Sequence, residues 1–316
     1  MTKTFNLKLS LATTLLAVSM MDLQANEETN LMIKIPQGEF IMGSNKTDPK
    51  EQWKQYGSRE PWYLNEHPEH KVSLKEYYID KFEVTYKNYA DYVQATGQAL
   101  PKIMQTNGYA LHLKEKKLQA LDESSLRNII VNIMKLDIDA RKMNSSQMFK
   151  AIKKRWAYQH TLPITHVSWS EANKYCQFHK KRLPTEQEWE KAARGPKGNE
   201  FIFGNSWLKS ASNVGEEYWD DGVAPVGSYP KDSSFYGVMD MSGNAYEWVN
   251  DDYKAYPGSD YSHKNFNKKY KTVRGSGYGK DGHYFLIHYQ RAAYRSWLHP
   301  DSRHPGQGFR CASNKK

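Results

Sequence analysis

The sequence predicts an α+β chain with little regular secondary structure and a helical insertion. Three observations carry this. Short apolar runs broken by Pro and Gly fill residues 31–97 and read as strands and turns leading to one helix. Residues 98–161 change to helical periodicity. Beyond Gly195 the chain is rich in Gly, Asn, Asp, Tyr and Trp with few long periodic runs, which suits long turn-rich loops fixed by side-chain hydrogen bonds or metal.

In chain order, the N-terminus comes first. Lys3 and Lys8 precede an apolar run from Leu9 to Met21, and small and polar residues follow through Gln24, Ala25 and Asn26. That is the three-part pattern of a secretory signal peptide over residues 1–25, with a mature domain over 26–316. The expected destination is the periplasm or the exterior. Lys34–Ser44 looks like strand, turn, strand, and Val72–Thr85 carries Tyr77, Tyr78, Ile79, Phe82 and Val84, which suits a buried strand and its turn. Tyr89, Tyr92 and Val93 lie at helical spacing within Tyr86–Thr96, with Gly97 as a stop.

The insertion follows. Leu126, Ile129, Ile130 and Ile133 mark one amphipathic helix, and Met148, Ile152 and Trp156 another. Residues 98–161 carry 12 Lys/Arg against 5 Asp/Glu, giving a basic outer face that an anionic surface can meet or that simply faces solvent. Ser168 with Glu171 and Thr185 with Glu188 each fit a capping box, opening helices at about 170–180 and 186–194, with Gly195 as a stop.

Composition sets the bounds. The 316 residues, 39% hydrophobic and 25% charged, exclude disorder throughout, and 13% aromatic residues favour aromatic-lined surfaces. A mean hydropathy of −0.84 excludes a polytopic membrane protein. The formal charge is +10, but an export signal and the lack of a nucleic-acid motif argue against nucleic acid as a partner. Two cysteines exclude a structural zinc site built on three or four thiolates of this chain. In an oxidising compartment Cys176 and Cys311 are disulfide candidates, the alternative being two buried thiols.

A set of motifs then converges on one family. Ile35-Pro-Gln-Gly-Glu-Phe-Ile-Met-Gly-Ser44, Glu66-His-Pro-Glu-His70, Phe82-Glu-Val-Thr85, His166-Val-Ser-Trp169, Lys181-Arg-Leu-Pro-Thr-Glu-Gln-Glu-Trp189, Asp240-Met-Ser-Gly-Asn-Ala-Tyr-Glu-Trp248 and Gly308-Phe-Arg-Cys-Ala312 occur in that order. Over residues 31–97 and 162–312 the chain resembles the sulfatase-modifying-factor family, the formylglycine-generating enzyme superfamily. Its fold is an irregular variant of the C-type lectin fold.

The resemblance implies structural calcium. Its ligands would be Asp240, the Gly243 and Ala245 carbonyls and Glu247. A second site would use Asn213, the Val214 carbonyl, and Asp220 or Asp221. Calcium takes six to eight oxygens, and a tight loop offers carbonyls between two acids. The resemblance also pairs Cys176 with Cys311. A second family disulfide falls at about Ala193 and Ala292, both alanine here. Glu66-x-Pro-x-His70 resembles a family structural turn.

The departure lies at the catalytic centre. Formylglycine-generating enzymes oxidise a substrate cysteine with two of their own, which bind copper(I), an ion suited to soft thiolates. Those positions lie within Val273–Ile287, at Gly282 and Ile287 counted back from Cys311, or with the first near Lys280 counted from Arg274, and no cysteine is present. The aromatic residue after Gly-Asn-Ala is Tyr246, where the family has Trp. The loop that shapes the family's substrate groove is replaced by the insertion.

The remaining candidate catalytic residues are His283, His288, Tyr246, Tyr278, Arg291 and Arg295. Two His with Tyr can ligate iron or copper, and some relatives are non-heme iron or sulfoxide-forming enzymes or periplasmic siderophore-maturation oxidases. His283 and His288 are five apart, and histidines of a polar loop are the competing reading. Two functions follow: an exported module that binds a peptide, glycan or envelope partner without a thiol oxidase site, or a periplasmic metal-dependent oxidoreductase acting on a peptide-like substrate.

Overall fold

The computed structural model describes residues 31–215, 219, 222–279 and 287–315. The expected signal peptide, Asp220, Asp221 and His283 lie outside the described residues.

Among the described residues nine short strands form three small sheets. β1 (Met32–Ile35) pairs antiparallel with β4 (Tyr77–Asp80), which also carries β9 (Ala312–Ser313). β2 (Gly38–Met42) pairs with β3 (His70–Leu74). The expected strand, turn, strand at Lys34–Ser44 is therefore present, but its two strands enter different sheets and do not form a hairpin. The third sheet runs β7 (Arg295–Leu298), β6 (Lys271–Arg274), β5 (Tyr246–Asp252), β8 (Gln307–Gly308). β7 and β8 are its outer strands.

Among the described residues four helices exceed eight residues. α1 (Tyr86–Thr96) is capped by the Thr85 side chain and stopped by Gly97 at φ 68. α2 (Ser145–His160), α3 (Trp169–Phe178) and α4 (Glu186–Arg194) each open on a capping box, from Asn144, Ser168 and Thr185. The reciprocal bonds satisfy two orphan N–H groups at each helix start. Within the insertion Leu126 belongs to a short helix (Glu123–Asn128), and Ile129–Ile133 widen into a single π turn instead of continuing it. Its apolar face, with α2, packs against α1 and joins the largest core cluster.

That cluster contains the disulfide between Cys176 on α3 and Cys311 beside β9. Ala193 and Ala292 meet in a second core cluster, fully buried. Among the described residues no helix is long and apolar enough to cross a membrane.

Candidate functional site

Two clefts open along β7. The first, about 70 Å³, is lined by Tyr246, Val273, Tyr294, Ser296, Leu298 and His304. Tyr246 starts β5, its N–H donating to the Gly306 carbonyl (2.8 Å) and its carbonyl accepting from Gln307 Nε2 (3.2 Å). Gly277 and Gly306 lie close on its ring: a Cβ at either would stand 3.0 or 3.3 Å from ring carbons. Tyr278 donates its N–H to the Asn244 carbonyl (3.1 Å), and its ring covers Gly222. His304 meets the Tyr246 ring edge-on at 5.9 Å, and its Nδ1 accepts from the Gly306 N–H.

The second cleft, about 120 Å³, includes Trp62, Tyr63, His288 and Tyr289 and shares Tyr294 and Ser296 with the first. Here Tyr56, Trp62 and His288 stack in three layers, with centroids 5.7 and 4.6 Å apart. Tyr63, Tyr289 and Tyr294 close on the imidazole edge-on at 4.8, 4.9 and 5.3 Å. Burial pushes the His288 pKa well below 6.5, with Arg291 and Lys46 adding to it, so the ring is neutral at pH 7. His288 Nδ1 and Trp62 Nε1 are both buried without a hydrogen-bond partner among the described residues. His288 is thus part of an aromatic box, not of a polar loop.

Arg291 and Arg295 serve a different end. Arg291 holds both oxygens of the fully buried Glu66 at 2.8 Å and also bonds Glu200. Arg295 pairs with Glu186 (2.8 Å) and donates to the Asn65 and Lys254 carbonyls. Arg274 bridges Glu186 and Glu190. These guanidiniums tie β6 and β7 to α4 and to the Glu66 turn, and they brace the cleft walls from behind.

A second concentration of charge surrounds the 240–247 loop. Glu83, Asp232, Asp240 and Glu247 are buried beside one guanidinium, that of Arg310. Glu247 gives both oxygens to Arg310 at 2.7 Å and accepts from Trp189 Nε1. Asp240 accepts the Gly227 N–H, and Asp232 the Ser242 N–H. Burial pushes Glu83 and Asp232 well up and Asp240 to about 6. Gly243 is seated on the Asn213 carbonyl, where a Cβ would stand at 2.5 Å. The Asn213 Oδ1 is buried without a hydrogen-bond partner among the described residues.

The decisive count is of sulfur. The chain has two cysteines, and the disulfide occupies both. A family model for the sulfatase-modifying factor enzyme 1-like domain matches residues 18–315. The chain belongs to the sulfatase-modifying-factor family. It is 27% identical to the inactive C-alpha-formylglycine-generating enzyme 2 of Bos taurus, over 91% of this chain and 89% of that one. It is 28% identical to the formylglycine-generating enzyme of Mus musculus, over 90% and 75%. The solved structure of PvdO from Pseudomonas aeruginosa covers 90% of this chain and 94% of its own at a TM-score of 0.54 and 24% identity, a likeness of fold.

For a sulfatase-modifying-factor family member, the donors to calcium are of mixed quality. The orphaned Asn213 Oδ1 and the excess of buried carboxylate near Asp240 fit a hard cation. Glu247 fits less well, because Arg310 holds both its oxygens. Among the described residues no three His, Cys, Asp or Glu converge as a metal would require. For iron or copper at the clefts, the described residues bring His288 and His304 to different clefts.

The structure places Tyr246 at the first cleft and His288 in the second, while Tyr278 packs against Gly222 outside the lining of both. Sequence reasoning missed Trp62, Tyr294 and His304. His304 follows a Pro-Asp turn in an unremarked loop, and nothing local marks Trp62, whose partner lies far along the chain.

Proposed function

We propose that this family member is exported and acts by binding, without formylglycine formation by the thiol route. The observation that carries the reading is the disulfide that occupies both of its cysteines. Thiolates are the copper(I) ligands and the redox centre of that route. What remains is a braced, aromatic-lined groove on an outer strand. An extended peptide suits it, because an edge strand offers unpaired main-chain groups and the clefts beside it can take side chains. Export rests on Lys3, Lys8 and the apolar run behind them. Calcium at Asp240 and Glu247 with the Gly243 and Ala245 carbonyls, and a second ion at Asn213, the Val214 carbonyl and Asp220 or Asp221, would pin the loop that carries Tyr246.

The test uses the purified mature chain and a cysteine-containing peptide derived from a sulfatase. Saturable quenching of tryptophan fluorescence, lost in Tyr246→Ala and His304→Ala, with no aldehyde formed, is the expected result. Aldehyde production by this chain alone overturns the reading.

A second reading, a metal-dependent oxidoreductase, has one observation in its favour: the unpartnered Nδ1 of His288 at the second cleft. Stoichiometric iron or copper, released by His288→Ala together with loss of oxygen consumption, would favour it over binding alone.

A further inference from the structure

The insertion holds a cluster that neither reading uses. Tyr109 and His112 lie on the 3-10 turn Tyr109–Lys114, and His160 is the last residue of α2. The Tyr109 hydroxyl, His112 Nδ1 and His160 Nε2 are each buried without a hydrogen-bond partner. Three such atoms on three neighbouring rings, none with a partner among the described residues, call for an explanation, since an unmet buried polar atom typically costs about 1–3 kcal/mol.

The rings converge. The two imidazole centroids are 4.8 Å apart and nearly perpendicular, and the Tyr109 ring lies 5.9 Å from His112 and 5.6 Å from His160. With metal–nitrogen bonds of about 2.0–2.1 Å, two imidazoles on one ion hold their centroids about 4.5–5 Å apart. The supports are also in place. Trp156 Nε1 donates to the Gly108 carbonyl (3.2 Å) and Gln159 Nε2 to the Asn107 carbonyl (3.3 Å). Those bonds lock the turn carrying His112 to the end of the helix carrying His160. Nearby charges are Glu115 and Lys153, and Lys87 with Asp91, which pair with each other on α1.

We propose that Tyr109, His112 and His160 form a binding site for one Zn²⁺ or Cu²⁺ ion, fastening the first turn of the insertion to its last helix. Imidazole suits both ions, and a phenol oxygen can serve as third donor, losing its proton to solvent on binding. A neutral imidazole is the ligating form.

The experiment takes the untagged mature chain, stripped with chelator, and titrates it with Zn²⁺ alone by calorimetry. One saturable equivalent is expected. His112→Gln and His160→Gln should each weaken it at least about 100-fold, and Tyr109→Phe at least about tenfold, while the exposed His299→Ala leaves it unchanged. Should a variant fail to fold, Cu²⁺ electron paramagnetic resonance on the unaltered chain decides, with two nitrogen donors expected. The proposal is overturned if the unaltered chain shows no single equivalent, if the spectrum lacks imidazole nitrogens, or if folded His112→Gln or His160→Gln binds as the parent does; water filling the cluster would give the first of these results.

Discussion

Reducing the Cys176–Cys311 disulfide tests both the fold and the functional argument. The bond joins α3 to the segment before β9 across a sequence separation of 135. Its surroundings are set independently. The Cys311 N–H donates to Asp80 Oδ2 (2.9 Å), and the Asp80 N–H donates to the Cys311 carbonyl (2.9 Å). The native geometry therefore persists without the bond, and the loss falls mainly on the unfolded state. The chain-entropy model gives about 5 kcal/mol for a loop of this length. With an unfolding entropy of about 2 cal/mol/K per residue, that lowers Tm by about 8 °C. Urea unfolding with and without reductant measures it, and Cys176→Ala/Cys311→Ala checks it chemically. A change below about 1 kcal/mol would refute the entropic reasoning. Reduction also frees two thiols, but both cysteines are fully buried in the main core and line neither cleft. The reduced protein should therefore form no aldehyde on a sulfatase-derived peptide. Aldehyde appearing on reduction would sink the functional argument with the rest.

Three further outcomes are expected. Glu190 is fully buried and accepts from Arg274 (2.8 Å), Arg194 (2.9 Å) and the Gly43 N–H (2.7 Å). Glu190→Gln leaves two guanidiniums short of charge and should destabilise by about 3–5 kcal/mol in urea; a loss under 1 kcal/mol by that standard refutes the assignment. Burial alone would raise the Glu190 pKa, but the two arginines outweigh it and hold it below 4.5, so its stabilisation is complete above pH about 4.5 and is lost as the pH falls through the lower folded value; Glu190→Gln should flatten that part of a Tm-versus-pH curve. Gly277→Ala would place a Cβ 3.0 Å from the Tyr246 ring, so peptide binding at the first cleft should weaken several-fold with little change in Tm; unchanged binding argues against that cleft. Trp62→Ala removes one face of the His288 stack, and the imidazole pKa should rise toward 6.5 in a proton resonance titration, whereas an unmoved value would mean that Trp62 is not what excludes water.

Much of the local structure is legible in the sequence because its determinants are local. Thr85 with Gly97, Ser168 with Glu171 and Thr185 with Glu188 bound three helices by hydrogen bonds spanning a turn. The lost thiols and the paired cysteines are legible for the same reason, as residue identities at fixed positions. The rest depends on contacts that no window of sequence contains. β1 and β2 are adjacent in the chain yet pair with β4 and β3, because tertiary packing, not proximity, selects the partner. Arg291 and Arg295 read as groove residues from their histidine and tyrosine neighbours. Their partners Glu66 and Glu186 lie more than a hundred residues away, and only the fold shows them bound. Trp62 and His288 are likewise remote in sequence, so the second cleft had no local signal.

The ion pairs explain how a groove can keep its shape independently of any chemistry in it. A fold with short strands and long loops has few ladder hydrogen bonds to keep β5–β7 in place. Arg274 and Arg295 supply that restraint by joining β6 and β7 to Glu186 and Glu190 on α4. Buried pairs of this kind add little net stability over apolar packing, but removing one partner is severe because the other charge is left without compensation. Such a network resists change whether or not the groove performs a reaction. The braced scaffold therefore says nothing about activity, and the residues that face the clefts decide it. Here these are Tyr246, Tyr294 and His304 on one side and Trp62 and His288 on the other. They offer aromatic surface, phenol, indole and imidazole groups, and no sulfur. A lone Cys placed at Ile287 would give the chain a thiol but not the pair that holds copper(I), so Ile287→Cys should bind no copper(I) tightly and form no aldehyde. Turnover by that single variant would show that the scaffold, rather than the sulfur pair, had carried the chemistry.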